Sequence, residues 1–156
     1  KKHIINRFIA LNLCRTLILT YIMLEVILVD DDDIVLMMQR KMISRCKISS
    51  KPIIFKSALE TLEYLNKPEN LENKEKVYLI FLDINMPLMS GWEFLDKIKK
   101  HVLYDQIHVI MVTSSIDQKD RSRAETYQRV IDYIEKPVTV KHCEVVKQLK
   151  SINEFF

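Results

Sequence analysis

From Glu25 onward the chain alternates short apolar runs with longer segments whose apolar residues recur at helical spacing. The run Glu25-Val26-Ile27-Leu28-Val29 is β-branched and predicts a buried strand over 25–29. The next segment carries Ile34, Leu36, Met37, Met38, Met42 and Ile43 and predicts a helix over 34–45, with the three methionines as core filling. Further strands are predicted at 52–55, 77–82, 107–112 and 130–134. Each is followed by a predicted helix, at 57–66, 91–100, 117–127 and 139–152, and the polar stretch 67–76 reads as an exposed loop. Five strands alternating with five helices imply a parallel sheet covered on both faces. Right-handed crossovers leave few topologies, and a doubly wound sheet is the natural one. Ligands then bind at the carboxyl ends of the strands, where the strand order reverses.

Residues 1–22 stand apart from this pattern. They are basic at the start and apolar later, but Arg15 interrupts the apolar stretch and no small-residue cleavage site follows. No run of 18 uncharged apolar residues exists, so no membrane span is predicted. Two readings stand: a vector-derived or translated upstream segment before a natural start at Met23, or an added amphipathic helix that docks on a partner or a second copy. The expected division is 1–22 as a non-native or extra segment and 23–156 as the folded domain.

The formal net charge of +3 comes from that segment. Lys1, Lys2, Arg7 and Arg15 are four of the 24 basic residues and no acid accompanies them, which leaves 20 basic against 21 acidic residues in 23–156, a net of −1. The body has no basic excess directed at nucleic acid. Cys14, Cys46 and Cys143 are odd in number and scattered. They predict neither a disulfide framework nor a zinc site, and they fit a reducing, cytoplasmic setting. The single glycine, Gly91, excludes the P-loop and the Rossmann fingerprint, so phosphate chemistry here would need another device.

The residues that carry chemistry fall at predicted strand ends. Asp30 and Asp31 end the first strand, Asp83 the third, Thr113 and Ser114 the fourth, and Lys136-Pro137 follow the fifth. An ionised acid at the end of a buried strand is costly without a partner. Side by side, Asp30, Asp31 and Asp83 repel unless a cation joins them. An oxygen-only site without histidine or cysteine suits Mg²⁺. A lysine and a hydroxyl opposite suit a phosphoryl group, and a carboxylate in that setting can be the nucleophile. Taken singly, each residue has an ordinary reading. Asp32 and Asp33 suit helix capping, Tyr133 suits a core or rim aromatic, and Trp92 suits packing under the following helix. Lys97, Lys99 and Lys100 suit a solvated helix face, and His3, His101, His108 and His142 are dispersed.

The strings Val-Asp-Asp (29–31), Leu-Asp-Ile-Asn-Met-Pro-Leu-Met-Ser-Gly (82–91), Met-Val-Thr-Ser-Ser (111–115) and Tyr-Ile-Glu-Lys-Pro (133–137) resemble, in order and spacing, the receiver domain of two-component response regulators. The resemblance spans roughly residues 24–150. It implies a flavodoxin-like (βα)5 fold with strand order 2-1-3-4-5, as in chemotaxis-type regulators. It also implies transfer of a phosphoryl group to Asp83 from a sensor histidine kinase or a histidine phosphotransfer protein. Carried over by position, Asp31 matches the direct Mg²⁺ ligand, Asp30 the acid that holds the metal largely through water, and Asn85 the backbone-carbonyl ligand. Thr113 matches the hydroxyl that moves to the phosphoryl group, Lys136 the lysine that pairs with the acceptor, and Tyr133 the aromatic whose rotamer reports phosphorylation on the 4-5 face. The Lys136–Pro137 bond is expected cis.

Output is expected through protein contacts on the 4-5 face, with an unknown downstream partner or a homodimer, and without nucleic acid or membrane. The receiver fills nearly all of the chain after Met23, which predicts a stand-alone receiver or one excised from a larger protein. An aspartate-nucleophile phosphatase would want an acid two residues after its nucleophile, and residue 85 is asparagine. A phosphorylation-independent module would not need the acids, Thr113 and Lys136 together. The resemblance implies that the residues at 85 and 115 partly set the lifetime of the phosphorylated state; Asn85 and Ser115 are small and uncharged, and with no carboxylate or amide at 115 to orient water, moderate to slow self-hydrolysis is expected.

Overall fold

The structure is a computed structural model that describes residues 22–115 and 117–156. Both readings of residues 1–22 therefore fall, apart from Ile22, outside the described residues. Strands β1 (Met23–Val29), β2 (Ile53–Phe55), β3 (Lys76–Leu82), β4 (Ile107–Thr113) and β5 (Val130–Glu135) form one parallel sheet of order β2-β1-β3-β4-β5. The helices between and after them are α1 (Asp33–Arg45), α2 (Ala58–Leu65), α3 (Gly91–Ile98), α4 (Gln118–Ala124) and α5 (Val140–Gln148). This is the flavodoxin-like, doubly wound order expected.

The strands are apolar on both sides because both sides are buried. Ile27, Val29, Ile80, Leu82, Val109 and Met111 face one core, with Ala58 and Leu65 of α2 and Phe94, Leu95 and Ile98 of α3. Val26, Leu28, Leu79, Phe81, Ile110 and Val112 face the other, with Leu36 and Ile43 of α1 and Cys143 and Val146 of α5. Trp92 lies in the first core, with its ring centroid 5.9 Å from that of Tyr127. No helix among the described residues is long and apolar enough to cross a membrane.

Three expectations need correction. Met37 and Met38 are not core filling: they are 64% and 51% exposed, beside an exposed Ile34, and Met42 is half-buried. The face of α1 that meets the sheet runs through Leu36, Gln39 and Ile43, at i, i+3 and i+7, and the first two methionines lie off that arc. The stretch 67–76 is not an open loop throughout. It contains one helical turn, Pro68–Leu71. Proline suits the first helical position because its fixed φ is already helical and its missing N–H has no partner there. Asn70 then turns inward, 1% exposed, donating through Nδ2 to the Tyr64 carbonyl at 2.7 Å and accepting from Lys76 Nζ at 2.9 Å. Lys76 also pairs with Glu25 at 3.2 Å, and Tyr64 donates to Glu25 at 2.6 Å. The polar stretch is thus tied to the amino ends of β1 and β3. The last helix is also shorter than expected, ending at Gln148 before a 3₁₀ turn at Asn153–Phe155.

β5 is an edge strand, and its pairing with β4 shifts register between Val109 and Ile110, which pair with Val130 and Asp132. Ile131 is the extra residue of that irregularity. A bulge of this kind twists an exposed edge away from further pairing.

Candidate functional site

Chain order reverses between β1 and β3, which opens a crevice at their carboxyl ends. The last matched pair there is Val29 with Leu82, so Asp30 and Asp83 leave the sheet side by side. The Asp83 N–H donates to the Val29 carbonyl at 3.0 Å and continues the ladder. Both carboxylates are buried, 1% exposed for Asp30 and 4% for Asp83, while Asp31 points to solvent. One oxygen from each of the three lies within 4.8 Å of the others. The rest of the acidic run caps α1. Asp32 Oδ1 accepts from the Ile34 and Val35 N–H groups at 2.7 and 3.3 Å, and Asp33 in the first turn pairs with Lys56.

Lys136, just past β5, reaches into the crevice. Its Nζ lies 2.6 Å from Asp30 Oδ2 and 3.2 Å from Asp83 Oδ1, so two buried acids share one ammonium. Burial pushes the Asp83 carboxyl above its ordinary range; Lys136 pulls the other way, and the Asp30 charge adds to the rise. Burial also opposes charge on Lys136, but its contacts with Asp30 and Asp83 outweigh it and hold the lysine above its ordinary pKa. Asp30 Oδ1 accepts from the Asp32 N–H at 3.0 Å. Asp30 Oδ2 takes the Lys136 ammonium at 2.6 Å, the same ammonium that lies against Asp83. Three carboxylates against one lysine, with no softer ligand among them, fit a hard divalent cation. Asn85 is exposed two residues beyond Asp83, in the loop that leads to α3.

Thr113 ends β4 fully buried, and its carbonyl accepts the Lys136 N–H at 2.9 Å. Its Oγ1 accepts the Ser115 N–H at 3.1 Å. Tyr133 is half-buried on β5 and donates to the Ser115 carbonyl at 3.3 Å, with the Arg121 guanidinium 5.0 Å above its ring. The Lys136–Pro137 bond is cis. Asp30, Asp31, Asp83 and Lys136 therefore meet in one cluster, while Thr113 and Tyr133 share Ser115.

Two features of the site were not read from the sequence. Gly91 opens α3 directly beneath Asp83. A Cβ there would stand 2.4 Å from the Asp83 carbonyl oxygen, so residue 91 must be glycine for α3 to start where it does. Its N–H donates to the Ile84 carbonyl at 2.9 Å. The only hint was its solitude in the composition. The second feature is a bond from Ser115 Oγ to Asp120 Oδ2 at 2.6 Å. By sequence, Asp120 is one more acid in a first helical turn, and no periodic pattern singles it out.

The comparisons with known proteins agree with this geometry. The family model described as response regulator receiver domain matches residues 26–148, and the chain belongs to that family. The Arabidopsis thaliana two-component response regulator ARR5 is 34% identical over 126 residues, covering 74% of this chain and 64% of that protein. Response regulator Rcp1 of Synechocystis is 27% identical over 95 residues, covering 61% of this chain and 65% of that protein. The chain thus spans a little under two thirds of the length of these curated relatives. A crystal structure of a two component response regulator from Cytophaga hutchinsonii is 29% identical with a TM-score of 0.73, covering 83% of this chain and 97% of that one. The chain is accordingly a receiver domain of two-component signalling, a signalling domain rather than a conventional enzyme.

Proposed function

We propose that the domain accepts a phosphoryl group on Asp83, in a Mg²⁺-dependent reaction, from the phosphohistidine of a sensor histidine kinase or a histidine phosphotransfer protein. The observation that carries this reading is the sharing of one lysine by two buried acids, with Asp31 beside them. Three carboxylates against one ammonium leave the cluster an acidic excess, which a structural ion pair would not need.

In the proposed step an Asp83 carboxylate oxygen attacks phosphorus, an O–P bond forms, and the P–N bond to the donor imidazole breaks. The nitrogen keeps the electron pair and takes up a proton. Asp30, Asp31, Asp83 and the Asn85 carbonyl would hold the metal, which screens the attacking carboxylate from the phosphoryl oxygens. Lys136 moves from Asp30 toward the new phosphoryl oxygens, and the Thr113 hydroxyl donates to another. The Asp83 carboxylate is itself the nucleophile, so the step needs no separate base. Thr113 and Tyr133 then shift, and the 4-5 face changes its affinity for a downstream protein or for a second copy. Residues 23–156 act as the receiver unit, within the cytoplasm.

The test is incubation with acetyl phosphate or phosphoramidate and Mg²⁺, followed by intact-mass measurement. The expected result is a gain of one phosphate-sized unit that is absent in Asp83→Asn and absent with EDTA. No gain under any condition would exclude the acceptor role and leave a phosphorylation-independent interaction module.

A further inference from the structure

All the hydrogen-bonding groups of Ser115 are engaged. Its N–H goes to Thr113 Oγ1 at 3.1 Å and its carbonyl to the Tyr133 hydroxyl at 3.3 Å. Its own hydroxyl donates to Asp120 Oδ2 at 2.6 Å and accepts the Asp117 N–H at 3.2 Å. Among the described residues, Ser115 therefore touches Thr113, Tyr133 and the first turn of α4 together. Asp117 caps that turn through Lys119 N–H at 2.9 Å, and Arg121, one residue past Asp120, lies over the Tyr133 ring. Of these contacts only the Ser115–Asp120 bond joins a side chain of the β4–α4 turn to an ionised group on the helix. Charge-assisted bonds of this length are the strong ones.

A displacement of Thr113 Oγ1 toward an oxygen on Asp83 would either carry the Ser115 N–H with it or break that bond. Anchored by Asp120, Ser115 does not follow freely. We infer that Ser115 and Asp120 are positioning residues that latch the β4–α4 turn, and with it Thr113 and Tyr133, in the arrangement that disfavours the phosphoryl-bound state. This inference rests on the reading of Asp83 as phosphoacceptor. Removing the latch relieves a cost met only when Thr113 moves, so it shifts the equilibrium between the two arrangements without touching the acidic cluster.

Beryllofluoride with Mg²⁺, a stand-in for a phosphoryl group on a carboxylate, tests it by calorimetric titration of the full chain. Ser115→Ala and Asp120→Asn are each expected to bind the mimic about tenfold more tightly than the parent, equivalent to about 1.4 kcal/mol. Ser115→Thr, which keeps the hydroxyl, is expected to stay within about threefold of the parent, well short of that tenfold change. The double variant Ser115→Ala/Asp120→Asn is expected to be no tighter than either single one, because both remove the same bond. Mg²⁺ affinity measured alone should be the same in all of them, which a general loosening of the fold would not preserve. A parent that binds the mimic while both single variants bind it equally or more weakly overturns the latch alone. Additive effects in the double variant overturn it as well. A parent that binds no mimic overturns the acceptor reading, and the latch with it.

Discussion

At Asp83, burial and the neighbouring Asp30 charge both disfavour ionisation, and Lys136 offsets only part of that. A carboxyl whose folded pKa is raised contributes stability below its unfolded value, and that contribution is lost as pH rises through the folded value. The ionised form of Asp83 therefore weakens the fold. Asp83→Asn is expected to raise stability at pH 7 by on the order of 1 kcal/mol, seen as a higher melting temperature. The gain should shrink as pH falls toward and below the ordinary carboxyl value of 3.8, where the parent is protonated as well. A melting temperature that falls at pH 7 would mean that Lys136 more than compensates both acids. Asp83 was legible in the sequence because an acid ending an apolar run is chemically conspicuous. Gly91 beneath it was not, because its constraint is a steric one set by a carbonyl eight residues earlier in the chain.

Among the elements, the strands followed their expected bounds closely, since continuous apolar runs mark strands buried on both faces. Helix α1 was placed correctly, but its buried side was not. Met37 and Met38 are apolar by type, whereas the sheet takes up the arc of Leu36, Gln39 and Ile43. The turn Pro68–Leu71 escaped the sequence because the stretch around it is mostly polar and its support comes from α2 and the start of β3. Asn70→Ala would remove one of two contacts from each neighbour, since the Tyr64 carbonyl keeps the Lys67 N–H at 3.2 Å and Lys76 keeps Glu25 at 3.2 Å. A loss of about 0.5–1.5 kcal/mol is expected in urea unfolding, with uptake of phosphate from acetyl phosphate unchanged. A loss of uptake would mean that the amino end of the sheet is coupled to the site at its other end.

Across the whole molecule, three acids on two strands and a lysine beyond a third converge only because the sheet order is β2-β1-β3-β4-β5. A cation that binds the folded chain and not the unfolded one must stabilise it, by about 1.4 kcal/mol at tenfold excess over its dissociation constant. Mg²⁺ is expected to raise the melting temperature of the parent by several degrees and to leave that of Asp31→Asn nearly unmoved. Equal shifts in both would place the ion elsewhere. By itself the sequence determined the alternation of strands and helices, the doubly wound class and the residues at the strand ends, because apolar periodicity and residue chemistry are local properties. Only the tertiary structure decided that Lys136 sits closer to Asp30 than to Asp83, and that Ser115 joins Thr113 to Tyr133 and Asp120. Those are distances between separate strands, helices and turns, and packing in three dimensions sets them where no spacing along the chain does.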